Sequence, residues 1–159
     1  MDKDIKKDRL KILPDIVDNV YKGKSLAKYV FLILTIVTIA RSLIHVFASD
    51  GGAQSIATIP LDTYSSAGAA SVIMIFSLWG LSQALMGIVY GVVYIKYKSL
   101  ISSMYVLLII EYVFRMVIGV MKPITTISTT SGAIGNYILV PLCILMLILS
   151  LIKGEKYSE

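Results

Sequence analysis

Four apolar stretches, each about long enough to cross a bilayer, constrain this chain more than any other feature. They run over approximately 28–47, 69–95, 100–121 and 136–152. A helix needs about 20 residues to cross a hydrocarbon core of roughly 30 Å. Apolar residues make up 57% of the chain and charged residues 16%, against roughly 45–50% and about 25% in soluble domains. A soluble domain of 159 residues has too little interior for that much apolar surface, so lipid is the expected solvent. The expected fold is all-α: a four-helix transmembrane bundle over residues 28–153, preceded by an amphipathic segment at 1–27 and followed by a short tail at 154–159.

The loops carry the orientation. Lys3, Lys6, Lys7, Arg9, Lys11, Lys22, Lys24 and Lys28 precede or open the first stretch. Lys96 and Lys98 sit in the turn between the second and third stretches, and Lys153 and Lys156 follow the fourth. Residues 48–68 have no Lys or Arg, and residues 122–135 have only Lys122. Positive charge collects on the cytoplasmic side of membrane proteins, so both termini and the central turn are expected in the cytoplasm of a multi-pass inner-membrane protein. The first 28 residues hold eight basic and five acidic side chains, a net of +3. That is a juxtamembrane charge and no nucleic-acid footprint. They are too charged, and the apolar run after them too long, for a cleavable signal peptide. Pro14, Asp15 and Asp18, then Lys22 and Gly23, predict a short capped helix. Leu10, Leu13, Val17 and Val20 would share one face of it, against the membrane surface.

Charge inside the apolar stretches is the feature most open to a functional reading. Counted at about 1.5 Å per residue from the inner ends, Arg41, Gln83 and Glu111 each lie roughly 20 Å deep, and His45, Trp79 and Arg115 roughly 26 Å deep. Guanidinium groups do not lose their protons, so Arg41 and Arg115 need acceptors. Glu111 precedes Arg115 by one turn and can pair with it. Arg41 then needs Glu111 across helices, the Gln83 carbonyl or Asp50 from the following loop. With His45 neutral, the layer nets +1. Three readings stay open: a structural network that fixes helix register, a site for a small anionic or polar ligand or a lipid headgroup, and an assembly contact with another helix.

The second stretch carries Ser77, Gly80, Ala84, Gly87 and Gly91 at alternating spacings of three and four. Such a seam of small residues lets helix backbones approach closely in lipid. It serves either the packing of this chain or a homo-oligomer or membrane partner. The loop at 48–68 opens on Asp50-Gly51-Gly52, a turn signal. Its Ile56, Ile59 and Leu61 predict that it folds back over the helices.

Arg41-x-x-x-His45, Asp50-Gly51-Gly52, Trp79-Gly80-x-x-Gln83 and Glu111-Tyr112-x-x-Arg115 together resemble the small four-helix bacterial membrane proteins grouped around the DoxX-like family. The resemblance covers roughly residues 40–123. It implies the four-helix fold and adds nothing on mechanism.

No HExxH, GxSxG, P-loop or paired-cysteine signature is present. One histidine cannot build a multi-histidine metal or haem site within one chain, and Cys143 is the single cysteine. No cofactor and no enzymatic activity are expected. The function expected is an outward-facing polar pocket, with an accessory subunit assembled through the glycine seam and a small transporter as alternatives.

Overall fold

The computed structural model describes residues 10–155. Lys3, Lys6, Lys7, Arg9 and Lys156, used above for orientation, lie outside the described residues. The architecture is all-helical: α1 (Ser25–Phe47), α2 (Ser66–Lys96), α3 (Ile101–Met121) and α4 (Ser131–Ser150), with single 3-10 turns at Leu61–Thr63 and Lys98–Leu100. There is no β-strand among the described residues; one isolated bridge pairs Gly23 with Lys153. Three segments are long and apolar enough to cross a membrane: Ser25–Phe47, Ser66–Lys96 and Lys98–Met121. The apolar part of α4, Ile134–Ser150, is shorter. The helices are therefore those of a membrane-spanning protein.

Local chemistry sets the helix ends. Ser65 caps α2, its hydroxyl accepting from the Gly68 N–H at 3.2 Å, and satisfies one of the four free donors of a helix start. Lys122 ends α3 outside the helical region, at φ −132° and ψ 69°, in keeping with the bias against α conformation before Pro123. Pro141 sits inside α4, where it removes one helical donor. α1 opens at Ser25, three residues before the expected boundary. Lys28 therefore lies within its first turns, its ammonium 4.6 Å from the Tyr29 ring, a cation held by a neighbouring aromatic.

The helices form two hairpins. α1 packs along α2 and α3 packs along α4, and α1 also meets α4. α2 and α3, though joined by the tight turn at 97–100, touch little beyond it. The buried face of α1 is Ala27, Phe31, Leu34, Thr35, Thr38, Ser42 and His45, spaced as one stripe of a helix. Its inner part meets Tyr90, Tyr105, Leu108 and Cys143 in the main core. Phe31 stands edge-on to both Tyr90 and Tyr105 at 5.7 Å between centroids, the favoured aromatic geometry.

Residues 48–65 fold back as predicted. Ala53, Ile59 and Leu61 are buried against Ala69, Val72, Ile73 and Phe76 of α2. Gly51 and Gly52 have φ of 58° and 73°, a conformation open to glycine at little cost. The loop between α3 and α4 is tied to this one: Ile127 N–H donates to the Thr58 carbonyl at 2.9 Å, and the Thr58 hydroxyl to that of Ser128 at 2.9 Å.

The expected N-terminal helix is absent from the described residues. Residues 10–24 are bent and extended and run as a strap across the ends of the hairpins. Ser103 Oγ donates to the Ile12 carbonyl at 2.5 Å, Asp18 N–H to Ser99 Oγ at 2.9 Å and Lys98 Nζ to Asn19 Oδ1 at 2.9 Å. Lys24 N–H donates to the Leu149 carbonyl at 3.1 Å, and Gly154 N–H to that of Lys22 at 2.9 Å. The backbone groups that a helix would use internally are spent on α3, α4 and the residues after α4. Leu13, Ile16, Val17 and Val20 stay exposed.

Candidate functional site

α1, α2 and α3 bring most of the predicted polar residues together in one place. Arg115 on α3 is the hub. Its Nη2 donates to Gln83 Oε1 across to α2 at 2.8 Å and forms an ion pair with Glu111 one turn earlier. The guanidinium carbon of Arg115 lies 4.9 Å from the Trp79 ring and 5.6 Å from that of Tyr112. Arg41 on α1 reaches the same indole, 5.6 Å from its centroid. Trp79 is therefore shared by two guanidinium groups, both in the range of cation–π attraction.

The two arginines are not alike. Arg115 has a carboxylate and an amide oxygen. Arg41 has Arg115, Tyr112 and Glu111 within electrostatic reach, yet among the described residues it makes no hydrogen bond or ion pair, and its guanidinium faces the indole alone of the aromatic rings. It is half-buried. Glu111 is drawn off by Arg115, so the charge left over in the cluster sits on Arg41.

His45 closes the outer side. It is 3% exposed and stacks at 4.8 Å on Trp79 and 6.0 Å from Phe76. Its Nδ1 is 2.7 Å from the Gly51 carbonyl. A carbonyl only accepts, so Nδ1 carries the proton, and the ring is pinned to the outer loop. Gly52 lies against the same imidazole: a Cβ there would stand 2.8 Å from Nδ1.

Asp50 is not part of the cluster. Its carboxylate accepts from the N–H groups of Gly52 (2.8 Å), Gln54 (3.1 Å) and Ser55 (2.7 Å), and so builds the loop that covers His45. What burial it has would raise its pKa, but the hydrogen bonds from Ser55, Gly52 and Gln54 outweigh that and hold it at about 2. Stabilising the ionised form in this way is the usual effect of several backbone donors on one carboxylate. The expectation that Asp50 folds in toward Arg41 is corrected: an Asp before two glycines finds its own backbone first.

The small-residue seam is used within the chain. A Cβ on Gly80 would stand 2.5 Å from His45 Cβ, and one on Gly87 2.6 Å from Ile39 Cγ1. Both glycines let α2 lie against α1. Ser77 bonds back to Ile73 at 3.0 Å and Ala84 is half-buried. A Cβ on Gly91 would meet nothing within 4 Å. As a surface for another protein, the seam is reduced to that last position.

Two residues of the site were not among those expected to form it, although Tyr112 stands in the Glu111-Tyr112-x-x-Arg115 pattern. Tyr112 stacks beneath Arg115, a placement signalled by its i, i+3 spacing. Tyr90 is 1% exposed, and its hydroxyl has no hydrogen-bond partner although Glu111, Tyr112 and Arg115 are within electrostatic reach. It follows Gln83 and Gly87 on the inward face of α2, which is its only sequence signal. Among the described residues no three His, Cys, Asp or Glu side chains gather to hold a metal.

Comparison of the chain with protein-family models, curated proteins and solved structures finds no match. The site is read from its own geometry.

Proposed function

We propose that the protein is a four-span membrane protein, with its termini in the cytoplasm, that binds an anionic oxygen group at Arg41. The observation that carries this reading is the asymmetry of the two arginines. Arg115 is neutralised by Glu111 and hydrogen-bonded to Gln83, whereas Arg41 is half-buried at the same level with a π face and, among the described residues, no acceptor. An ionised group in a low-dielectric site must be compensated, and here the chain leaves that compensation to something else. Trp79 and the Arg115 guanidinium lie on one side of it. Ionisable groups within a membrane are costly, and their default reading is functional. The protein binds rather than catalyses: the cluster offers Glu111 and His45 as proton carriers, but each is already committed, to Arg115 and to Gly51. The orientation rests on the lysines of the inner turn and of the strap, and α4 completes the bundle as a fourth, short span.

Thermal unfolding in detergent micelles tests the reading, with inorganic phosphate, acetate or phosphatidylglycerol added in turn. At about 100-fold excess over the dissociation constant a bound ligand adds ~2.7 kcal/mol of stability. At least one of the three raises the Tm of the wild type, and Arg41→Gln removes that shift. A wild type indifferent to all three would overturn the reading.

The glycine seam as a docking surface for an accessory subunit is the weaker reading, because α1 already occupies Gly80 and Gly87.

A further inference from the structure

From the same reading of Arg41, we infer that the bound anion is the headgroup of a phospholipid that enters sideways, from the outer leaflet, between α2 and α3. Three features point to that route. The outer end of the site is closed: Gly51 and Gly52 lie on His45, and His45 lies on Trp79. The two outer loops are then joined to each other through Thr58. That cover bears Asp50 and Asp62 and no Lys or Arg over residues 48–68, so it repels a free anion arriving from water. By contrast, α2 and α3 touch little beyond their turn, and the gap is crossed at the level of the cluster by the side chain of Arg115.

The exposure of the ion pair agrees with a lateral opening. The Arg115 and Glu111 side chains keep 17% and 24% of their surface. On α3, Leu107 and Phe114, four residues before and three after Glu111, share its face and are exposed. A molecule reaching Arg41 past these residues needs an apolar body and a charged end. An anionic phospholipid has both: a phosphate for Arg41, with acyl chains lying along the open aliphatic faces of α2 and α3. Soluble phosphate offers the same oxygens without the body.

Trp79 is the single tryptophan of the chain and stands at the site, so its fluorescence reports the occupant directly. The full-length protein is placed in phosphatidylcholine vesicles containing a minor share of lipid brominated near the headgroup end of its chains. The brominated lipid is either phosphatidylglycerol or phosphatidylcholine. In separate samples iodide is added outside. Brominated phosphatidylglycerol is expected to quench Trp79 as if enriched about fivefold over its bulk share, the preference one arginine gives for an anionic lipid. Iodide is expected to quench weakly. Arg41→Gln returns the two lipids to equal quenching, and Arg41→Lys, which keeps the charge, retains the preference; an unchanged far-ultraviolet circular dichroism spectrum and thermal transition show that each variant is folded. Equal quenching by both lipids with strong quenching by iodide overturns the lateral route while leaving an anion pocket open to water. Equal quenching, weak iodide quenching and no Tm shift with phosphate or acetate overturn the anion site itself. A phosphatidylglycerol preference that survives Arg41→Gln removes Arg41 from the lipid contact.

Discussion

The Tyr90 hydroxyl is the one fully buried side-chain polar atom among the described residues that meets no partner. Stripped of water and given nothing in return, such a group costs about 1–3 kcal/mol. Tyr90→Phe removes the cost and keeps the ring on Phe31, so chemical unfolding in micelles should show a variant as stable as the wild type or up to about 1 kcal/mol more stable. A loss of stability would mean that the hydroxyl has a partner. Asp50 behaves in the opposite sense. Its carboxyl is held at about 2, below the ordinary 3.8. The ionised group therefore stabilises the folded loop above about pH 4, and that stabilisation is lost as pH falls through the folded value near 2. Asp50→Ala removes it at every pH, and amide exchange at residues 52–59 should quicken at neutral pH in the variant. Much of the cluster can be read from the sequence, because charge is conspicuous in an apolar stretch: Arg41, Gln83, Glu111 and Arg115 announce themselves. The fate of Asp50 and of the Tyr90 hydroxyl cannot. One depends on a turn satisfying its own donors, the other on neighbours from separate helices all failing to offer an acceptor.

Between elements, contact is set by what a glycine leaves out. Gly80 and Gly91 belong to one seam in the sequence and to different environments in the fold. Gly80→Ala would press a methyl into His45 and the Ser42 carbonyl and should cost about 1–3 kcal/mol as overpacking. Gly91→Ala meets open space and should be neutral or slightly stabilising, since alanine is the better helix former. Unfolding in mixed micelles distinguishes the pair, and equal losses would show that α1 does not lie where Gly80 requires. Helix positions were legible to within a few residues because hydropathy dominates them. α4 is the exception: it begins at Ser131, ahead of the apolar stretch, because mostly small residues continue the helix there without adding to its hydropathy. The N-terminal helix was misread for a different reason. Leu10, Leu13, Val17 and Val20 have helical spacing, but the segment's backbone is claimed by Ser99 and Ser103, 81 and 91 residues away from their partners, and no local pattern reports so distant a claim.

At the scale of the molecule the two hairpins are held at both ends and loose between. At one end Thr58 joins the loops; at the other the strap joins α3 to the start of α1 and the residues after α4. The double variant Ser99→Ala, Ser103→Ala deletes the serine hydroxyl bonds of the strap and leaves Lys98 on Asn19. At roughly 1 kcal/mol per lost hydrogen bond, it should lower the Tm by several degrees and expose residues 12–22 to proteolysis, while phosphatidylglycerol quenching of Trp79 persists. Unchanged proteolysis would show that the strap is held by its backbone contacts alone. The strap also has a consequence for how the chain is made. Residues 12–24 are made long before their partners at Ser99, Ser103 and Leu149. Until those partners are made, the Ile12 carbonyl, the Asp18 N–H and the Lys24 N–H are without them, so docking of this segment follows the synthesis of α3 and α4. A chain that stalls before residue 98 is thus marked by an undocked strap, open to proteases.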